Sequence, residues 1–146
     1  MNQTTVVLFR PHVAASNDKS LIDELTAALV QEGAIEDAVG FTDAVWERES
    51  QQRTWLGREA AIPHARLANV RKLALVIGSH STGIEWGSPE HKARLFFLAA
   101  VPQNGAVGYL YLTQRITRTL RDDKRRKALL AAANPEGLSR AWNAST

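Results

Sequence analysis

The spacing of apolar positions divides the chain into helical and extended stretches. In "SLIDELTAALVQEG", residues 20–33, Leu21, Leu25, Ala28 and Leu29 recur at helical intervals, which predicts a helix with Ser20 as N-cap and Gly33 as stop. A second helix is expected over 36–49, where Val39, Val45 and Trp46 supply apolar contacts and Gly40 weakens the propensity. "TVVLFR", residues 5–10, reads as a short strand. "LALVIGS" at 73–79 and "ARLFFLAAV" at 93–101 are apolar on both alternating faces, the pattern of strands covered on both sides. Between them "STGIEWGSPEH" carries Gly83, Gly87 and Pro89 and reads as a turn with a short edge strand. The last third is helical: about 107–120, then a helix capped by Asp122, then one opened by Asn134 with Pro135 in its first turn.

This order of elements predicts an α/β fold, a central mixed β-sheet flanked by α-helices on both faces in a single layered domain covering 1–146. A chain of 146 residues is long enough for one substantial core and too short for two ordinary domains. No stretch approaches the roughly 20 apolar residues of a membrane span, and the opening "MNQTTVVLFRP" lacks the pattern of a secretory leader. A cytoplasmic protein without membrane insertion is expected.

Composition changes this picture in two places. The absence of cysteine excludes disulfides, zinc–cysteine sites and thiol nucleophiles. The net charge of +3 owes much to "RITRTLRDDKRRK" at 115–127. There Tyr109, Leu112, Ile116 and Leu120 form one apolar stripe while Arg115, Arg118 and Arg121 project elsewhere, so the run reads as a solvated helix face and no nucleic-acid partner is expected.

The candidate chemistry lies in "REAAIPHARL", residues 58–67, which sets His64 among residues that offer its ring only backbone. Ile62 precedes a proline and is pushed toward extended geometry, and Pro63 cannot donate to a sheet ladder, so His64 is expected at a strand end, where α/β folds place ligands. With an ordinary pKa of about 6.5, a neutral imidazole can act as base, metal ligand or nucleophile. Glu59, the nearest carboxylate in sequence, falls on the opposite strand face, which disfavours a base–carboxylate pair. His12, His64, His80 and His91 show no metal-ligand spacing, and no metal or cofactor is expected. Phosphoryl acceptance remains, with Arg66 and Arg48 available to hold the dianion by charge-assisted bonds of about 1.5–3 kcal/mol each.

"AAIPHARL" resembles the active-site segment of the IIA domains of the bacterial phosphoenolpyruvate-dependent phosphotransferase system, fructose/mannitol type. The resemblance runs from about Lys19 to Trp142, and "IPHA" gains specificity from "RE" at Arg48 and Glu49, sixteen residues upstream of His64. It implies that His64 carries the phosphoryl group, that Arg48 lies near the phosphorylated ring, and that Thr54 matches the family's threonine before the motif. It also implies a cycle in which phospho-HPr phosphorylates His64 and a IIB cysteine, working with a membrane IIC, takes the group onward; the missing cysteines fit that division of labour. A second copy of the chain as partner is left open.

Three positions depart from the family pattern: Trp55 and Glu59 stand where glycines are common, and Tyr109 stands where a second histidine usually lies close to the first. A phenol can donate one hydrogen bond to a phosphate but cannot become a cation. These departures keep a second reading open, that of a regulator like the nitrogen-regulatory branch of the family, binding protein targets according to its phosphorylation state with reduced or lost transfer. Plainer readings stand beside the site assignments. Tyr109 could only extend its helix's apolar stripe, and Arg48 could be a surface residue. Arg66 divides between phosphate contact and partner docking, and Glu59 reads as a surface carboxylate. His80 and His91 read as loop residues, and Trp46, Trp55, Trp86 and Trp142 as core or core rim.

Overall fold

A computed structural model describes residues 5–144. In chain order the elements are β1 (Val6–Arg10), α1 (Asp18–Gln31), α2 (Ala38–Gln51), β2 (Trp55–Gly57), β3 (Ala60–Ala61), β4 (His64–Leu67), β5 (Ala74–Glu85), β6 (Lys92–Pro102), α3 (Ala106–Arg121), α4 (Asp123–Ala131) and α5 (Pro135–Asn143). One mixed sheet runs in the order β1-β5-β6-β3-β2, with β4 also on β6. β1 is parallel to β5, β5 antiparallel to β6, β3 and β4 parallel to β6, and β2 antiparallel to β3.

The two long central strands are apolar over 74–78 and 95–102 because both of their faces are covered there. Val76, Phe96 and Leu98 meet Leu21, Leu25, Leu29, Phe41 and Val45 of α1 and α2 on one face. On the other, Leu75, Ile77, Leu95 and Phe97 meet Leu112, Ile116, Leu120, Leu129, Leu138 and Trp142 of α3–α5. Side-chain alternation along a strand divides each strand between the two cores. The expected α/β class with helices on both faces is therefore what the sheet builds.

Several boundaries differ from the sequence reading, each for a local reason. α1 begins at Asp18 with Asn17 as N-cap, and Ser20 sits at the third helical position of a reciprocal capping box: Ser20 N donates to Asn17 Oδ1 (2.8 Å) and Asn17 N to Ser20 Oγ (3.2 Å). Ser20 thus caps from inside the helix. α2 is shifted two residues later than expected, and its Val39 is 70% exposed instead of a core contact, because Phe41, Val45 and Glu49 form the inward stripe. Gly40 has a use there: its N–H donates to the capping Asp37 Oδ1 at 2.9 Å, and a Cβ would lie 2.3 Å from Asp37 Oδ2.

The turn expected across residues 81–91 is shorter, since β5 continues to Glu85 and the chain reverses over Trp86–His91, closed by Trp86 N donating to His91 O (2.8 Å). His80 consequently lies in β5 and not in a loop, its Nδ1 accepting from Gly83 N at 2.8 Å; His91 is in the turn, stacked on Trp55. Trp86 and Trp142 are core residues, while Trp46 and Trp55 lie at the core rim.

Candidate functional site

β6 holds the site segment by its backbone. Arg94 N and Leu95 N both donate to Glu59 O (2.8 and 2.9 Å), β3 pairs Ala60 with Leu95, and after Pro63 the ladder resumes with His64 opposite Ala99. Pro63 has no N–H to give, yet its carbonyl accepts from Ala99 N at 3.0 Å, so the proline interrupts the strand without detaching it. His64 is accordingly the first residue of β4, a strand end as expected. It shares a sheet face with Ala99, which packs with α3–α5.

There it meets Tyr109 from the first turn of α3, with ring centroids 4.9 Å apart and planes inclined by 35°. His64 Nδ1 lies 2.9 Å from the carbonyl oxygen of Ile62. A carbonyl only accepts, so Nδ1 carries the hydrogen and Nε2 keeps the free lone pair. Burial of the ring holds its pKa below the ordinary value; the Ile62 bond opposes this, the Arg48 guanidinium adds to it, and the Glu49 carboxylate opposes it. The ring is neutral at neutral pH. Burial also pushes the Tyr109 phenol far up, and Arg48 offsets this only slightly, so Tyr109 stays a neutral donor.

The half-buried His64 opens into a cavity of about 300 Å³ lined also by Ala44, Glu47, Arg48, Gln51, Ala65 and Arg66. Arg48, in the last turn of α2, donates Nη1 to the Gln52 carbonyl at 2.8 Å, which satisfies the helix end and steadies the guanidinium at the cavity wall. Arg66 is exposed on the same side of β4 as His64, two residues on. The structure thus brings His64, Arg48, Arg66 and Tyr109 together.

Thr54 is placed differently, 6% exposed and not among the residues that line the cavity. Its hydroxyl donates its one hydrogen to Glu49 Oε2. Glu59 makes an ion pair with Arg94 at 3.3 Å and no hydrogen bond with His64. Glu59 and Arg58 both sit in left-handed backbone (φ 64° and 52°), after Gly57 at 77°. Among the described residues no group of three or more histidine or acidic side chains is placed to hold a metal ion, and no helix is long and apolar enough to cross a membrane.

Glu49, which enters the sequence pattern only as the second residue of "RE", lies buried beside Thr54. It is 2% exposed and accepts from Arg53 Nε (2.9 Å), Thr54 N (3.1 Å), Trp86 Nε1 (3.1 Å) and the Thr54 hydroxyl. A signal was available: Phe41, Val45 and Glu49 recur every four residues, so the carboxylate continues the apolar stripe of α2 inward, where a charge needs several donors.

The family model for the phosphoenolpyruvate-dependent sugar phosphotransferase system, EIIA 2, matches residues 3–143. The fructose-specific EIIABC component of Bacillus subtilis is 28% identical over 128 residues, 87% of this chain; the chain spans 20% of that relative's length. The nitrogen regulatory protein IIA-Ntr of Neisseria meningitidis has the same fold, with a TM-score of 0.81 at 22% identity over 94% of this chain and 92% of that one. So does the Escherichia coli complex of mannitol enzyme IIA with phosphorylated mannitol enzyme IIB, with a TM-score of 0.79 at 20% identity and 94% of both chains covered.

Proposed function

The chain belongs to the EIIA 2 family of the phosphoenolpyruvate-dependent sugar phosphotransferase system, and from that premise we propose that His64 is its phosphoryl carrier, charged by phospho-HPr and discharged to a cysteine of a IIB protein. The observation that carries the reading is the Ile62–His64 hydrogen bond, which leaves Nε2 bare in a cavity that also holds Arg48 and Arg66. We read the whole 146-residue stretch as one such domain, acting in the cytoplasm without cofactor or metal, and reaching the membrane IIC only through IIB.

The chemistry balances without an added reagent. The Nε2 lone pair attacks phosphorus in line with the donor's P–N bond; that bond breaks, and its electron pair returns to the donor imidazole. The positive charge gained by the His64 ring is spread toward Nδ1–H and met by the Ile62 carbonyl. Arg48 and Arg66 face the phosphoryl oxygens, and the neutral Tyr109 hydroxyl supplies one further donor. A cysteine thiolate then attacks the same phosphorus, and the pair returns to Nε2. Thr54 acts from outside the cavity lining, its hydroxyl held by Glu49.

Incubation with phosphoenolpyruvate, enzyme I and HPr, followed by intact-mass measurement, tests this. The expected result is a gain of one acid-labile phosphate that is absent from His64→Ala; no gain on the wild type refutes it. One observation favours a second reading: a regulator that binds partners according to its phosphorylation state gains little from rapid onward transfer, and Tyr109 replaces the family's second imidazole beside His64. Phosphorylation of His64 without discharge to any IIB protein would select that reading.

A further inference from the structure

A hydrogen-bonded chain runs from the interior of α2 to the reacting imidazole. Glu49 accepts from Thr54 through both the amide (3.1 Å) and the hydroxyl. The Thr54 carbonyl accepts from Ile62 N at 2.9 Å, and the Ile62 carbonyl accepts from His64 Nδ1 at 2.9 Å. We propose that Glu49 is a positioning residue for phosphoryl transfer, acting on His64 through Thr54 and Ile62. The inference rests on the carrier reading above, and it assigns a role to a residue that touches neither phosphate nor imidazole.

The physical case has three parts. Glu49 follows Arg48 in sequence, so the helical turn sends the guanidinium to the cavity and the carboxylate to the core. Its own orientation is fixed by donors from separate elements: Trp86 beyond β5, and Arg53 after α2. Arg53 is in turn held by Asp18 of α1 at 2.7 Å and lies over the rings of Trp46 and Trp86, at 5.4 and 5.1 Å from their centroids. Finally, the links beyond Thr54 are the backbone bond from Ile62 N to the Thr54 carbonyl and the ring bond from His64 Nδ1 to the Ile62 carbonyl, and Ile62 sits between the stretches that pair with β6, Ala60–Ala61 before it and His64–Leu67 after it. Holding Thr54 therefore fixes the Ile62 carbonyl, and that carbonyl selects the tautomer that exposes Nε2.

The test uses the full chain with the His64 ring labelled with ¹⁵N. In wild type the ring nitrogens report the Nδ1–H tautomer. In Glu49→Gln, which preserves shape and removes the charge, a mixed tautomer population is expected, with phosphorylation by saturating phospho-HPr slowed by about ten- to a hundredfold. Asn134→Ala, which deletes the α5 cap bond to Gly137 N (2.8 Å), controls for lost stability and keeps the wild-type tautomer and rate. Should Glu49→Gln fail to fold, Thr54→Val cuts the hydroxyl link alone and is expected to shift the tautomer in the same direction. Wild-type tautomer and rate in the folded Glu49→Gln, or in Thr54→Val where only that variant folds, would overturn the proposal, as would an equal tautomer shift in Asn134→Ala. The tautomer is read on unphosphorylated protein, so this result stands even if the carrier reading itself fails.

Discussion

His64 Nδ1 lies 2.9 Å from the Ile62 carbonyl oxygen, and this contact leaves Nε2 as the ring nitrogen with the free lone pair. Phosphorylated protein should therefore carry its phosphorus on Nε2. Through-bond ³¹P–¹⁵N coupling on a ring-labelled sample distinguishes the two nitrogens, and phosphorus on Nδ1 would show that the ring turns over in the cavity.

Burial lowers the His64 pKa, so the folded state binds fewer protons at this ring than the unfolded chain. The associated stability is present above the unfolded value of about 6.5 and is lost as pH falls from there toward the folded value. The nucleophilic neutral form persists over that same window. Phosphorylation of His64 should stay level as pH drops through 6.5 and decline only below it; an NMR titration midpoint at or above the free value contradicts this.

Tyr109→Phe keeps the ring that packs 4.9 Å from His64 and removes only the hydroxyl. Loss of one hydrogen bond to a charged group, about 1.5–3 kcal/mol, predicts a ten- to hundredfold slower single-turnover phosphorylation with an unchanged melting temperature. An unchanged rate would make Tyr109 a packing residue of the α3 stripe.

Arg48→Ala removes a cavity cation together with the bond to the Gln52 carbonyl. Phosphorylation should slow by about ten- to a hundredfold and stability fall by about 1 kcal/mol. Arg66→Ala, exposed and without a bond to any described residue, should lower the rate with no measurable change in stability. Rapid-quench rates and urea midpoints separate the two effects.

Glu59 occupies left-handed backbone at φ 64°, a conformation that costs a non-glycine residue about 1 kcal/mol or more. Its ion pair with Arg94 is partly exposed and returns about 0–1 kcal/mol. Glu59→Gly should therefore stabilise the fold by up to about 1 kcal/mol in urea denaturation. A lower midpoint would mean that the Arg94 contact outweighs the backbone strain.

Much of this molecule is local and so was legible in the chain itself. Helical spacing marked α1 and α3, the unbroken apolar runs marked β5 and β6 as a doubly covered centre, and the Asp122 and Asn134 caps were placed correctly, because each depends on residues a few positions apart. The motif around Pro63 likewise marked His64 as the residue to examine. Contacts between distant segments decided the rest. Asn17 displaced Ser20 as the cap through a reciprocal bond, and β5 ran on through His80, across a register shift between Ser79 and Ile84, before pairing with β6 again. Glu49 became a buried carboxylate with a full set of donors only when Arg53 and Trp86 arrived from either side of it. The carboxylate's identity is written in the sequence, but which donors surround it follows from packing, since burying a charge is tolerated only where the fold brings enough partners to it.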